Sequence, residues 1–301
     1  MKKLSSIRIL ILLVISLLIS SLLAVSATPL FAEDEKLASD TSVSAPTKEE
    51  KPTADLSVSA LTKYVWRGQE LSRDSIVLQP SATVGYKGFS VNLWGNLDTK
   101  PYKVDKTLGD SNNWTETDFT VGYSRAIGPV TAGLGYIYYA LAALQPGGAD
   151  PLDSQEVYVS LGLNTLLTPT LTVYKEISHY KQWYFLLGVS HAFTLSEKVA
   201  LKLAASASYL KSEDADTYPE FRSDSETTDG KYNNFHDGML SVSLPVTPVK
   251  YLTVTPTLSY VFPLCSDAKY EMKARGLEDI NSNSDRDSSY LYGGLTLSFT
   301  F

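Results

Sequence analysis

The last twelve residues of the chain, Tyr290–Phe301, read YLYGGLTLSFTF. From Leu291 onward, apolar residues and one glycine alternate with tyrosine and with small or hydroxyl-bearing residues, up to an aromatic final residue. Successive side chains of a strand point to opposite faces, so one face suits hydrocarbon and the other suits water. An open edge strand of this kind would recruit other chains. The segment therefore predicts a closed barrel in which the last strand pairs with the first.

The same period of two recurs in eleven further segments. The first is expected over Leu56–Trp66, and the others begin near Ile76, Phe89, Asp118, Val130, Glu156, Thr170, Gln182, Val199, Phe235 and Leu252; the C-terminal segment itself begins near Ser289. Beyond the N-terminal region no apolar run is long enough for a transmembrane helix, so only a barrel could span a bilayer. We predict an all-β chain that forms a membrane-spanning, up-and-down antiparallel β-barrel of about 12 strands.

The connections between these segments are of two kinds. Short ones lie near Lys87-Gly88, Gly128-Pro129, Thr168-Pro169, Ser196-Glu197 and Thr247-Pro248. Long polar ones are Asp98–Trp114, Leu141–Asp153, Lys211–Asn233 and Pro263–Ser288, with brief exceptions at Gly68–Arg73 and Ile177–Lys181. Outer-membrane barrels have short periplasmic turns and longer extracellular loops. An even strand count then predicts an outer-membrane protein with both termini in the periplasm.

The N-terminal region has the pattern of an export signal. A basic start precedes a nearly unbroken run of Ile, Leu and Val over Ile9–Leu23. We predict a signal peptide over residues 1–32, cleaved after Ala27 or Ala32. The alternative is an uncleaved anchor helix, because the run approaches the ~18 residues that can span a bilayer. Residues 33–53 have almost nothing to bury and predict a disordered periplasmic tail, which leaves residues 54–301 for the barrel.

Aromatic residues on the predicted outward face form two rows, as two membrane interfaces require. The row near the long loops comprises Tyr64, Trp66, Tyr138, Trp183, Phe185, Tyr209, Tyr260 and Phe262. The row near the short turns comprises Tyr86, Phe89, Tyr123, Phe193 and Phe301. In a soluble sandwich, the alternative all-β fold, aromatics would be spread along each strand. The two rows favour the membrane barrel.

Composition and residue types exclude several classes of function. The formal net charge is −7, and no basic patch could neutralise phosphates, so nucleic acid is not an expected partner. The lone Cys265 can form neither an internal disulfide nor a multi-cysteine metal site, and no metal or cofactor is expected. The histidines are His179, His191 and His236. We place the last two on the outward face and find no serine motif beside a histidine, so no enzyme is predicted.

Charged side chains on the inward face must contact water or a partner. Strand parity assigns seven of them to the lumen as pore-lining candidates: Lys63, Arg67, Glu116, Asp118, Glu156, Lys202 and Asp237. Our hypothesis is a water-filled pore whose mixed lining gives weak ion selectivity that slightly favours cations. The alternative is that these groups pair across the lumen and plug it. Arg67 could guide anions at the rim, but an Arg-Gly turn is more often structural.

The segment Lys63–Gly68, KYVWRG, resembles the first strand and turn of the TorF-type porin family, a Gcw_chp-type family of outer-membrane β-barrels of unknown function. The resemblance continues through Leu93–Asn96, Glu116–Tyr123 and Tyr158–Gly162. The C-terminal strand is also similar to the terminal signature of bacterial outer-membrane proteins. This resemblance implies a porin-like outer-membrane barrel, and it implies no particular substrate or functional residues.

These observations predict a porin-like channel for passive diffusion of small hydrophilic solutes or ions. The expected partners are those solutes, outer-membrane lipid and lipopolysaccharide, and the barrel assembly machinery of the outer membrane. The alternative is a structural or adhesive barrel with a plugged lumen and functional extracellular loops.

Overall fold

The computed structural model describes residues 51–72, 75–101, 113–142, 153–223, 226–275 and 287–301. The signal peptide predicted over residues 1–32 and most of the tail predicted over residues 33–53 lie outside the described residues. Thr53, at the predicted end of the tail, is the first residue of the first strand.

The described residues form seventeen strands and one helix. They are β1 (Thr53–Leu61), β2 (Val65–Trp66), β3 (Gln69–Glu70), β4 (Val77–Tyr86), β5 (Phe89–Asp98), β6 (Trp114–Ile127), β7 (Val130–Leu141), β8 (Ser154–Leu163), β9 (Thr170–Glu176), β10 (Gln182–Ser196), β11 (Val199–Ser212), β12 (Pro219–Ser223), β13 (Glu226–Lys231), β14 (Asn233–Ser243), β15 (Val246–Val249), β16 (Leu252–Pro263), α1 (Ser266–Arg275) and β17 (Tyr290–Thr300).

Twelve of these strands form a closed antiparallel barrel, which confirms the predicted fold class. Their order around the barrel is β1, β4, β5, β6, β7, β8, β9, β10, β11, β14, β16 and β17. The sheet closes where β17 pairs with β1, in a register that runs from Asp55↔Thr300 to Leu61↔Gly294. The C-terminal strand and the first strand therefore remove each other's open edges, because each satisfies the other's backbone hydrogen bonds.

The outward face of the barrel is apolar along the middle of the strands. Leu56, Leu93, Leu134, Val159 and Leu240 are all exposed there. Large hydrophobic side chains covering a whole closed sheet are unusual on a water-soluble domain, where exposed apolar patches are small. This surface is suited to contact with hydrocarbon.

Aromatic side chains lie at both ends of this apolar band. At the long-loop end Trp183 stacks on Phe185, and Phe185 and Phe235 each contact Tyr209 edge to face. At the short-turn end the Phe89 and Tyr123 rings are 4.7 Å apart. The predicted rows are present, apart from two residues that do not face outward.

Tyr64 and Trp66 are the two exceptions, because the first barrel strand ends at Leu61 and not at Trp66. Tyr64 is buried and donates a hydrogen bond to Glu116. The Trp66 ring contacts that of Tyr139, 6.1 Å away. Both aromatic residues belong to the lumen, so their assignment to the outer row was wrong.

The two ends of the barrel differ as the sequence predicts. The turn at Lys87-Gly88 has positive φ angles of 51° and 83°, which are typical of a tight two-residue hairpin between adjacent strands. The connections at the other end contain structure that the sequence pattern did not reveal: β2 and β3 pair as a short hairpin, β12 and β13 form a second one, and α1 follows β16. Cys265 caps α1 by accepting a hydrogen bond from the Ala268 amide at 3.4 Å.

A β-bulge in β14 changes the direction of one histidine. Opposite β11, the partners of Ala207 and Tyr209 are Gly238 and Phe235, so β14 contains one extra residue. His236 and Asp237 consequently both point into the barrel, and His236 is 0% exposed. The outward assignment of His236 was wrong for this reason, since strand parity assumes an unbroken period of two. His191 is on the outer side, where its ring contacts that of Phe193 edge to face.

Among the described residues, no helix is long and apolar enough to cross a membrane.

Substitutions at two neighbouring residues of β8 test which face of the strand contacts lipid. Val159 is 56% exposed on the outer face, and Ser160 points inward beside Gly133. An arginine on the lipid face near the bilayer centre costs about 2–4 kcal/mol. We expect Val159→Arg to lower the free energy of unfolding from phospholipid vesicles by that amount, measured by urea titration. Ser160→Arg, the matched control, should cost much less, and equal losses would contradict the assignment of the faces.

Candidate functional site

A short hairpin formed by β2, the Arg67-Gly68 turn and β3 enters the loop end of the lumen, and we call it the lumen hairpin (Val65–Glu70). Arg67 and Gly68 have φ angles of 47° and 75°, as a two-residue turn of this kind requires. A Cβ atom on Gly68 would lie 2.8 Å from Cε of Met272 and 3.0 Å from Cβ of Asp237. Glycine is thus needed both for the turn and for the close approach to α1 and the wall.

Arg67 connects the tip of this hairpin to the opposite side of the barrel. Its guanidinium donates two hydrogen bonds of 2.7 Å to the carboxylate of Glu156. The lumen hairpin lies in the connection from β1 to β4. Glu156 is in β8, which is the sixth strand around the barrel when β1 is counted as the first. The lumen hairpin therefore crosses the lumen at this level.

Aromatic rings surround the same guanidinium. Its central carbon is 4.3 Å from the ring centroid of Tyr184, 4.5 Å from that of Trp66 and 4.9 Å from that of Tyr174. These distances are within the range of cation–π attraction. The Tyr139 hydroxyl also donates to Glu156, at 2.9 Å. The arginine thus occupies a cage of three rings and one carboxylate.

The cage keeps its arginine charged although it is buried. The side chains of Arg67 and Glu156 are 8% and 1% exposed. Burial, the largest influence, acts to lower the pKa of Arg67, but the charge and hydrogen bonds of Glu156 more than offset it, and the pKa is raised above its ordinary value. Removing either partner would leave an uncompensated charge away from water.

The base of the lumen hairpin is held by a second set of polar contacts. Lys63 donates to Glu70 at 2.5 Å, and the Tyr64 hydroxyl donates to Glu116 at 2.9 Å. The Tyr64 amide donates to Ser72 at 2.6 Å. Burial and then the negative charge of Glu116 raise the pKa of Tyr64 well above its ordinary value, so its hydroxyl stays protonated and remains a donor.

Helix α1 is fastened to the wall through His236. The two ring nitrogens of His236 lie 2.9 Å from a carboxylate oxygen of Asp237 and 2.6 Å from one of Glu271 in α1. The same oxygen of Asp237 accepts hydrogen bonds from Ser208 and Tyr184. His236 and Glu271 are both 0% exposed, so this contact is a buried bridge between a barrel strand and the helix.

A hydrophobic core fills the space between α1 and the wall. Its buried members come from inward-facing strand positions, from α1 and from the loop between β11 and β14. They are Tyr184, Leu210, Tyr218, Tyr232, Val261, Ala268, Met272 and Tyr290. Val65 of the lumen hairpin packs against them. The lumen hairpin and α1 together form what we call the plug, and a dry core of this kind leaves little room for water at the loop end.

The short-turn half of the lumen has a different lining. Its inward positions carry mainly serine, threonine and glycine, including Ser57, Ser59, Ser81, Thr83, Thr120, Gly122, Gly133, Ser160, Thr172, Gly188, Ser190, Ser241, Thr255, Thr296 and Ser298. Hydroxyls on adjacent strands bond to each other, as that of Ser59 does to that of Thr296 at 2.9 Å. Small polar side chains leave space along the axis that water can fill.

The seven sequence-predicted pore residues do not form one lining. Five of them bond within or next to the plug: Lys63, Arg67, Glu116, Glu156 and Asp237. Asp118 is level with this region, since its register partner is the buried Tyr139. Lys202 alone faces the short-turn half. Whether any of them contacts a permeating solute stays a prediction.

Sequence reasoning missed several members of the site. Glu70, Tyr139, His236 and Glu271 were not assigned to the lumen, although all four are buried. Tyr139 is the register partner of Asp118 and therefore lies on the same face, so it could have been found from the strand register. Glu271 lies in a loop whose helix had no amphipathic signal, and nothing in the local sequence pattern marks it.

The buried His236 does not form a nucleophilic catalytic site. A general base needs a free nitrogen to accept the proton of a serine. Both nitrogens of His236 are bonded to carboxylates, and Ser208 donates to Asp237. No group of three or more His, Cys, Asp or Glu side chains is arranged to hold a metal ion within the part of the chain that the structure describes.

No family model and no curated protein matches the chain. Among solved structures, it is similar to the NanC porin, at 11% identity and a TM-score of 0.49, covering 81% of this chain and 98% of that one. LpxR from Salmonella typhimurium gives 11% identity and 0.46, covering 83% and 100%. The COG4313 outer membrane channel from Pseudomonas putida F1 gives 10% and 0.44, covering 86% and 100%. Likeness at this level carries no argument about function, and membership of the TorF-type family stays a prediction.

The pairing of Arg67 with Glu156 can be tested by a double-mutant cycle. Because Glu156→Ala leaves a buried guanidinium without its carboxylate, we expect the free energy of opening the lumen hairpin to fall by about 3–5 kcal/mol. Amide hydrogen exchange across Val65–Leu71 measures this local opening.

The double variant Arg67→Ala/Glu156→Ala should lose less than the sum of the single variants, because the two groups are coupled. Glu213→Ala, which removes the partner of Lys175 at the exposed rim, is the control and should change the exchange little. Additive losses would contradict a direct coupling.

Proposed function

We propose that this protein is an outer-membrane channel for passive diffusion of small hydrophilic solutes or ions, and that the described conformation is its closed state. The observation that carries the proposal is the division of the lumen. A half lined by small, hydroxyl-bearing side chains at the short turns meets a plug whose polar contacts to the wall include the bridges Arg67–Glu156 and His236–Glu271. A barrel built only as a scaffold has no need for a half lined by small polar side chains.

The outward surface supports the proposed location. Its apolar band lies between two aromatic rows, as the lipid-facing surface of a transmembrane barrel does. Placement in the outer membrane, with the short turns and both termini in the periplasm, forms part of the proposal. Outer-membrane lipid, lipopolysaccharide and the barrel assembly machinery are its proposed partners.

The ion selectivity of an open state would be weak. Most of the lumen charges are paired in the plug and contribute little field to the rest of the lumen. In the short-turn half Lys202 faces the lumen, and Asp55 near the rim accepts a hydrogen bond from Thr300 at 2.9 Å. One charge of each sign gives little discrimination between cations and anions.

The alternative is a structural or adhesive barrel with a permanently plugged lumen and functional extracellular loops. The buried core around Met272 and Tyr232 favours it, because such a core is costly to open. The two functions differ in what happens when the bridges of the plug are removed.

Planar-bilayer recordings of the purified protein distinguish them. We expect the wild-type chain to be closed most of the time, and Glu156→Ala/Glu271→Ala to conduct for a much larger fraction of the time, because both bridges that hold the plug are gone. Glu213→Ala should behave like the wild type. If no variant conducts while all remain folded barrels, the scaffold alternative is correct.

Reversal potentials in a salt gradient test the lining of the open state. Lys202→Glu replaces the positive charge of the short-turn half with a negative one, so the ratio of K⁺ to Cl⁻ permeability should rise severalfold. Lys211→Glu makes the same charge change on the outer face of β11 and should leave the ratio nearly unchanged. Equal shifts for both variants would contradict a conduction path through the lumen.

A further inference from the structure

We propose that Glu156, Tyr174 and Tyr184 form a binding site on the inner wall for small solutes that carry a guanidinium group, and that Arg67 occupies this site as an internal competitor. The binding site itself is independent of the proposed function. Its consequence, that such a solute releases the lumen hairpin and opens the channel, rests on that function.

The wall provides the recognition groups without the lumen hairpin. Glu156, Tyr174 and Tyr184 belong to the neighbouring strands β8, β9 and β10, and their positions are fixed by the barrel register. The Tyr139 hydroxyl donates to Glu156, and the Tyr184 hydroxyl donates to Asp237, so both groups are oriented by bonds within the wall. These contacts do not involve the arginine, and the site is therefore preorganised for an incoming group.

The shape of the site selects a guanidinium over other cations. A carboxylate that accepts two parallel hydrogen bonds matches the planar fork of a guanidinium, whereas an ammonium makes one such bond as a point charge. The Tyr184 and Tyr174 ring centroids are 4.3 and 4.9 Å from the guanidinium carbon, and a planar cation stacks well on such rings. Glu156 is 1% exposed and would otherwise be a buried, unpaired charge.

The proposed solute must be small, because it has to reach the site through the lumen. Tyr158 and Tyr174 have ring centroids 5.7 Å apart, and Tyr158 continues the aromatic surface from the site toward the short-turn half. A free solute reaches Glu156 along this path, through the half of the lumen that has small side chains. It competes with an arginine that the hairpin holds in place, so opening requires a solute concentration above the dissociation constant measured for Arg67→Ala.

Removal of the arginine side chain exposes the site for a direct measurement. In the full-length, folded Arg67→Ala protein we expect saturable binding of ethylguanidinium, which matches the atoms removed, by isothermal titration calorimetry. Propylammonium at equal ionic strength, a cation without the planar fork, should bind at least about tenfold more weakly. Arg67→Ala/Glu156→Gln should weaken the binding of ethylguanidinium by a similar factor.

A second measurement keeps the test decisive if Arg67→Ala folds poorly. In that case ethylguanidinium should raise the yield of refolded barrel, seen as heat-modifiable migration on gels, and propylammonium should not. Equal effects of the two cations, or binding that is unchanged by Glu156→Gln, would overturn the proposal.

Recordings of the wild-type channel test the consequence for opening. Ethylguanidinium at concentrations above the dissociation constant measured for Arg67→Ala should raise the open fraction severalfold, whereas propylammonium should not. Binding to Arg67→Ala without an effect on currents would leave the site in place and would contradict the closed-channel function. An absence of binding, together with currents from Glu156→Ala/Glu271→Ala, would overturn the proposed binding site. It would still support the proposed channel function.

Discussion

Closure of the sheet is the constraint on which the rest of the molecule depends. In a hydrocarbon environment every backbone N–H and C=O group needs a partner within the protein, and pairing of β1 with β17 provides the last of them. Once the sheet is closed, each strand has one face for lipid and one for the lumen. Every charge on a strand is then directed inward or to a rim, and the lumen becomes the only place in the membrane-spanning part where polar chemistry can occur.

The concentration of charge in a narrow lumen creates a second constraint. Where the plug excludes water, a charge is tolerated only with a partner of opposite sign or with several donors. Glu156 has the guanidinium of Arg67 and the hydroxyl of Tyr139, and Asp237 has His236, Ser208 and Tyr184. The mixture of signs that we read from the sequence as a weakly selective lining includes, at the loop end, matched pairs such as Arg67–Glu156 and Lys63–Glu70.

The barrel could be predicted from the sequence because its signal is local and periodic. Alternation over Leu291–Phe301 and the difference between short and long connections depend only on neighbouring residues. The plug could not be predicted in the same way. The β-bulge that turns His236 inward adds one residue to β14, so parity counted back from the outward-facing Leu240 places His236 on the wrong face.

The candidate site was predicted only in part, because its contacts join residues that are far apart in the sequence. Arg67 and Glu156 were both assigned to the lumen, but they are 89 residues apart and their pairing depends on a hairpin that crosses the barrel. The structure shows that the inward-facing Tyr184 contacts the chain's own arginine. The position of Glu271 could not be predicted from the sequence, because α1 is defined by its contacts and not by its own amphipathic pattern.

The two bridges of the plug are physically connected, which bears on how the plug would open. Tyr184 contacts the guanidinium of Arg67 with its ring and donates its hydroxyl to Asp237, which in turn bonds to His236. Gly68 of the lumen hairpin also lies against Met272 of α1. Displacement of Arg67 therefore removes packing from α1 and leaves Tyr184 with a face exposed to the lumen. In the proposed opening, loss of the first bridge would therefore weaken the second, and such coupling favours two discrete states over a gradual opening.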